Sequence, residues 1–255
     1  MGSQQRSVSL WINQGKEILL QILSLEQPPA VMLWGPPGIG KSALIRQIAR
    51  GKNWGVVDLR MLLLNPVDLR GIPVPDRERR QADWLPAGFL PNPQRDGPQG
   101  ILFLDEINAA PPAVQASAYQ LLLDRKSGEY LLPPGWRIVA AGNRVTDRGV
   151  INRMPAPLAN RMLHFELSCE LSDWKSWALV NGIDPAVIAF LNFRPELLYR
   201  FPEGAAEIRA FPSPRSWEFV SRLIPLFSDW DQLFHAVASA VGEGAAFEFI
   251  GFARL

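Results

Sequence analysis

The 255 residues carry a formal net charge of +1, 47% apolar side chains and a single cysteine. This composition supports a sizeable core, and no apolar run approaches the roughly 20 residues that span a bilayer. Near-neutral charge speaks against nonspecific nucleic-acid binding, which draws on a clearly basic face, and the lone Cys169 excludes an internal disulfide or a multi-cysteine metal site. The opening MGSQQRSVSL lacks a basic segment followed by an apolar stretch, so no secretory signal is read and a cytoplasmic, non-membrane protein is expected. Arginine outnumbers lysine roughly four to one, a bias that suits phosphate forks and subunit interfaces.

In chain order, residues 1–28 form a leading segment whose apolar pattern predicts a helix over 10–25, closed by Pro28 and Pro29. Residues 30–34 make a short apolar strand. Residues 41–50 make a helix with Leu44, Ile45 and Ile48 on one face, ended by Gly51. Strands are predicted at 54–59, 101–104, 137–141 and 162–167, with a helix at 112–125. This alternation predicts an α/β domain over 29–170, with a parallel sheet flanked by helices. Between 65 and 100 prolines and charges accumulate, which predicts a long loop of functional or mobile character; its basic run at 77–80 is taken as solvated. After about 170 the strand pattern stops. Helices are predicted at 171–181, 185–193, 214–227, 230–241 and 243–252, so 171–255 is taken as a small all-helical domain.

Two motifs carry chemistry. Gly35, Pro36, Pro37, Gly38, Ile39, Gly40, Lys41 and Ser42 match G-x-x-x-x-G-K-[ST] between an apolar strand and a helix that continues with Ala43. In such a loop, glycines let backbone N–H groups converge on phosphates while the helix N-terminus adds its positive dipole end. Lys41 is placed to reach the terminal phosphates of ATP, and Ser42 to offer its hydroxyl to Mg²⁺. About 65 residues on, the apolar run 101–104 ends in Asp105 and Glu106. An aspartate at a strand end beside the loop suits Mg²⁺, and a glutamate after it suits the polarisation of an attacking water.

These motifs and their spacing resemble the AAA+ ATPases, and most closely the MoxR branch. The resemblance rests on GPPGIGKS, LFLDEINAAPPAVQ, IVAAGNR, PLANRMLHFEL and PSPRSW. It implies that Asn143 senses the terminal phosphate and helps place the water. It implies also that Arg161 enters the site of a neighbouring subunit, with Arg144, Arg148 and Arg153 as competitors, and that Arg215 senses nucleotide from a helical lid. Residues 61–71 resemble an insertion of this branch, and 126–135 a hairpin before the first sensor, both facing a central opening or a partner. The expected protein is a ring of six that hydrolyses Mg-ATP to remodel a partner protein bearing a von Willebrand factor A-type domain. No appended substrate-binding domain is read. A nucleic-acid motor or loader and an ATP-dependent regulatory switch remain alternatives.

His164 is expected to pack within its strand, Cys169 to be a buried small residue, and most of the nine tryptophans to fill the core or subunit contacts.

Overall fold

The computed structural model describes residues 9–144, 147, 152, 154–202 and 209–255. They fall into two compact units: one runs to Leu167 and carries the main sheet, the other begins at Ser168 and takes in Trp11–Asn13 and Pro37–Gly40.

The main sheet is built on strands β1 (Ser9–Trp11), β2 (Ala30–Trp34), β3 (Gly55–Arg60), β6 (Gly100–Asp105), β9 (Trp136–Gly142) and β10 (Met162–Ser168). Their order is β1-β10-β2-β9-β6-β3, and every pairing from β10 to β3 is parallel. Parallel strands buried on both faces read as unbroken apolar runs rather than alternations. That is why Val31, Met32 and Leu33 on β2, Ile101 to Leu104 on β6 and Val139 to Ala141 on β9 are all sequestered from solvent. Helices α1 (Ile12–Leu23), α2 (Lys41–Lys52) and α5 (Pro112–Asp124) flank the sheet with apolar stripes such as Leu44, Ile45 and Ile48 of α2. Each fully buried Leu or Ile contributes on the order of 1.5–3 kcal/mol. Trp136, fully buried at the start of β9, donates its indole N–H to Gly97 O at 3.1 Å. A Cβ at Gly100, its partner on β6, would come within 2.6 Å of that ring, so the glycine makes room for it.

The leading helix starts at Ile12 rather than at residue 10, because Ser9–Trp11 joins the sheet beside β10. The stretch expected as a long loop instead holds helix α3 (Pro66–Arg70), the hairpin β4 (Ile72–Asp76) and β5 (Gln81–Leu85), and the short helix α4 (Pro93–Asp96). Capping supplies what periodicity did not signal. The Asn65 and Asp68 side chains form a reciprocal capping box on α3, and Asn92 caps α4. In the hairpin, Pro73 and Pro75 have no N–H, so the donors that β4 can offer β5 are Ile72, Val74 and Asp76. The prolines therefore face outward and leave the free edge of β4 without donors at those positions, which discourages pairing with other strands. A second small hairpin, β7 (Lys126–Ser127) with β8 (Tyr130–Leu131), stands where the pre-sensor hairpin was expected. It is tied to α3 by a hydrogen bond from Ser127 Oγ to Leu69 O of 2.8 Å.

The second unit holds helices α7 (Leu171–Val180), α8 (Pro185–Phe193), α9 (Pro214–Leu223), α10 (Trp230–Val241) and α11 (Glu243–Ala253). Helix α9 stops short of residue 227, because Pro225 cannot continue the hydrogen-bond ladder and Ile224–Leu226 tightens into a 3₁₀ turn. Trp217, Phe190 and Phe249 form a mutually tilted aromatic centre, and the Trp217 indole donates to Leu197 O at 2.6 Å. No helix among the described residues is long and apolar enough to cross a membrane.

Candidate functional site

The carboxyl ends of β2, β6 and β9 lie side by side, because β9 pairs with both of the others. Loops leaving parallel strands at that edge are where such sheets place ligands. Beyond β2 the chain enters Gly35–Gly40 and then α2, which opens at Lys41. The loop is anchored to β9 by the Gly35 N–H donating to Gly142 O at 3.3 Å. Gly40 takes φ +107, a conformation that L side chains rarely adopt. Gly38 (φ +82) is counted with the helical unit; there a Cβ would stand 3.1 Å from Ser213 Oγ.

Four of the residues singled out by the sequence meet at this edge. Lys41, only 9% exposed, donates from Nζ to Gly35 O at 2.6 Å, to Pro36 O at 3.0 Å and to Asn143 Oδ1 at 3.1 Å. An ammonium needs several acceptors when withdrawn from water, and these hold it beneath the loop. Ser42 Oγ donates to Asp105 Oδ2 at 3.1 Å. A hydroxyl and a carboxylate held this close are hard oxygen donors that fit Mg²⁺, which takes its remaining ligands from phosphate and water.

Asp105 uses its other oxygen to accept the Glu106 N–H at 3.0 Å. Glu106 itself takes φ +57, a left-handed conformation that costs a non-glycine residue on the order of 1–2 kcal/mol. The chain therefore turns sharply off the strand at the glutamate, and Ala109 N–H closes the turn on Glu106 O at 2.9 Å.

Sequence reasoning missed Asn108. It is 2% exposed and joins the ends of β6 and β9, donating from Nδ2 to Asn143 O at 2.7 Å and accepting the Asn143 N–H on Oδ1 at 3.3 Å. Asparagine after a strand ordinarily signals a turn, so only tertiary placement separates the two uses.

Arg161 does not join these residues. It is exposed in the turn between α6 (Ala156–Ala159) and β10, at the opposite, amino-terminal edge of the sheet, where it lines a depression of about 150 Å³ with Pro28, Pro29 and Arg125. Its guanidinium has no hydrogen-bond or ion-pair partner among the described residues. Of its competitors, Arg144 is committed within the unit. It pairs with Asp147 at 2.8 Å and Glu166 at 2.6 Å, and hydrogen bonds to Asp147 first and Glu166 next hold its pKa above the usual arginine range. Arg148 and Arg153 lie outside the described residues.

Arg215 is exposed in the first turn of α9, whose N-terminus is capped by Ser213 and Ser216. His164 accepts the Trp34 indole N–H on Nδ1 at 2.9 Å, stacks on that ring, and donates from Nε2 to Ala159 O at 2.7 Å. An indole can only donate, which fixes the Nε2–H tautomer and makes His164 a packing and bridging residue within the unit. Cys169 is half-buried, and burial pushes its thiol up to about 12, with Asp173 adding to the effect.

Residues 30–162 match the family model described as AAA domain (dynein-related subfamily). Among solved structures, the chain is similar to a putative ATPase from Cytophaga hutchinsonii, with 17% identity over 61% of this chain and 46% of that one, at a TM-score of 0.44. The chain thus spans under half the length of that protein. It is similar also to a RuvB variant from Thermotoga maritima (18% identity, 94% of this chain, 66% of that one, TM-score 0.49). A third is NtrX from Brucella abortus (15%, 97% and 69%, TM-score 0.43). A match covering more than half the chain, from the strand before the phosphate loop to the start of β10, makes this protein a member of the AAA domain family, dynein-related subfamily, within the AAA+ ATPases.

Proposed function

We propose that the chain is an ATP hydrolase of the MoxR-like branch, acting in the cytoplasm as a ring of six to remodel or mature a partner protein. The observation that carries the hydrolytic reading is the pair of hydrogen bonds that join Lys41 to Asn143 and Ser42 to Asp105, bringing the start of α2 to the ends of β9 and β6. In this reading the loop residues from Gly35 to Gly40, with Ala43 at the helix start, hold the phosphates of ATP, and Lys41 exchanges its carbonyl acceptors for the terminal phosphates. Ser42 and Asp105 would hold Mg²⁺, which would offset charge on the phosphate oxygens. Glu106 accepts the proton of the attacking water, and Asn143 orients that water. Arg215 follows the state of the nucleotide.

The transition state spreads charge over the transferred phosphoryl group, and Arg161 is the cation we assign to offset it from a neighbouring subunit. What supports action in trans is its position at the far edge of its own sheet together with its lack of an internal partner among the described residues. The partner class, a protein with a von Willebrand factor A-type domain, rests on the sequence motifs that resemble the MoxR branch. Against the nucleic-acid alternative stands the net charge of +1.

The test is phosphate release against protein concentration. Specific activity is expected to rise with concentration and level off as rings form, and Glu106→Gln is expected to abolish turnover while retaining ATP. A rate per chain that is flat from the lowest concentration would remove the shared site and leave an ATP-dependent switch. Salt-sensitive stimulation by DNA would restore the motor reading.

A further inference from the structure

We propose that Asn108 is a positioning residue for ATP hydrolysis, fixing Asn143 without touching the nucleotide itself. The inference rests on the hydrolytic reading above and adds a residue to it.

The register of β6 against β9 runs as far as Leu104 opposite Ala140. Past that point Ile107 N–H still reaches Ala141 O at 3.0 Å, but β6 has turned away at Glu106 and no longer pairs with the residues that follow on its side of β9, while β2 flanks the other side as far as Gly142. The Asn108 carboxamide takes over. Its Nδ2 meets the Asn143 carbonyl at 2.7 Å and its Oδ1 meets the Asn143 N–H at 3.3 Å. One side chain thus holds both backbone groups of one residue, as a neighbouring strand would. The two backbone groups also fix which way the amide points, since only Nδ2 can donate to a carbonyl.

The clamp is itself held. Asn108 O accepts the Asn152 N–H at 2.7 Å, and Asn152 Nδ2 donates to Ala110 O at 2.8 Å. On the other side, a Cβ at Gly142 would overlap the Asn108 amide oxygen and come within 2.8 Å of its Cγ and of Met32 Cε. Gly142 is therefore what lets the amide approach. The outcome of these contacts is the place of the Asn143 side chain, whose Oδ1 stands 3.1 Å from Lys41 Nζ.

Phosphate binding draws mainly on the loop backbone and Lys41, whereas hydrolysis also needs the water aligned. A shift of Asn143 by about 1 Å costs far more in the second than in the first. Asn108→Asp keeps the shape but replaces the donor facing the Asn143 carbonyl with an oxygen. Asn108→Ala removes the clamp altogether.

The experiment measures kcat, KM and the Kd of a fluorescent ATP analogue for the parent, both variants, Asn143→Ala and the Asn108→Asp/Asn143→Ala double variant, with thermal melting alongside. We expect Kd within about threefold of the parent, and kcat lowered about tenfold to a hundredfold in each Asn108 variant. We also expect less than a twofold further loss when Asn108→Asp is added to Asn143→Ala, because a residue that acts through Asn143 has nothing left to position. If Asn108→Ala does not fold, Asn108→Asp carries the comparison. Unchanged kcat, losses that multiply in the double variant, or a Kd that moves with kcat would each overturn the proposal. A parent without any turnover would instead overturn the hydrolytic reading beneath it.

Discussion

The sharpest test of a shared site combines Arg161→Ala with Glu106→Gln. Within one chain, Met162 pairs with Ala30 and Glu166 with Trp34. The start of β10 and the entry to the phosphate loop are thus four residue steps apart, about 13 Å at roughly 3.3 Å per residue. Arg161 precedes the first of those pairs and the phosphates would sit beyond the last, so the side chain cannot reach its own site. Removing an arginine that offsets charge in phosphoryl transfer is expected to lower kcat about a hundredfold or more, about 2.7 kcal/mol of transition-state stabilisation. ATP binding should be little changed.

Glu106→Gln should be inactive for a different reason, because its chain keeps Arg161 but has lost the base. In an equimolar mixture, a site is intact when an Arg161→Ala chain supplies Glu106 and its Glu106→Gln neighbour supplies Arg161. Random assembly yields that arrangement at about a quarter of the sites, so the mixture should recover about a quarter of the parent rate. The assay is steady-state phosphate release at saturating Mg-ATP, for each variant alone and for the two mixed. A mixture no faster than the mean of its components, or Arg161→Ala at the parent rate, refutes the trans assignment.

Two further outcomes follow from the local geometry. Asp105→Asn keeps the shape of the Ser42 partner but removes the charge, so the Mg²⁺ concentration for half-maximal turnover should rise at least tenfold; an unchanged Mg²⁺ titration would show that Asp105 does not hold the ion. At pH 8 the thiol of Cys169, held near 12 by burial, is ionised to roughly one part in 10⁴, against about a quarter for an ordinary cysteine. Iodoacetamide should therefore modify the native protein at least a hundredfold more slowly than the urea-unfolded chain, and equal rates would contradict that environment.

Much of the molecule is determined by local features of the chain. The phosphate loop needs glycines and a lysine at fixed spacing, and that spacing is visible without any fold. The strand at Ala30–Trp34 and helix α8 at Pro185–Phe193 fall where apolar pattern and flanking prolines put them, since burial on both faces or on one stripe is written into consecutive residues. The segment between 65 and 100 was opaque because its helix and hairpin are set by capping side chains and by the phase of two prolines rather than by periodicity. Tertiary structure alone decided which strand ends became neighbours. The pairing of β9 with β2 and β6 brings Asn143 to Lys41 across 102 residues and joins it to Asn108 across 35. It also sets apart two arginines that look alike in sequence, tying Arg144 to Asp147 and Glu166 and leaving Arg161 without a partner among the described residues. The physical reason is common to all of these: a helix, a strand or a glycine turn has its cause within a few residues, whereas a hydrogen bond between distant side chains depends on sheet register, which no local stretch encodes.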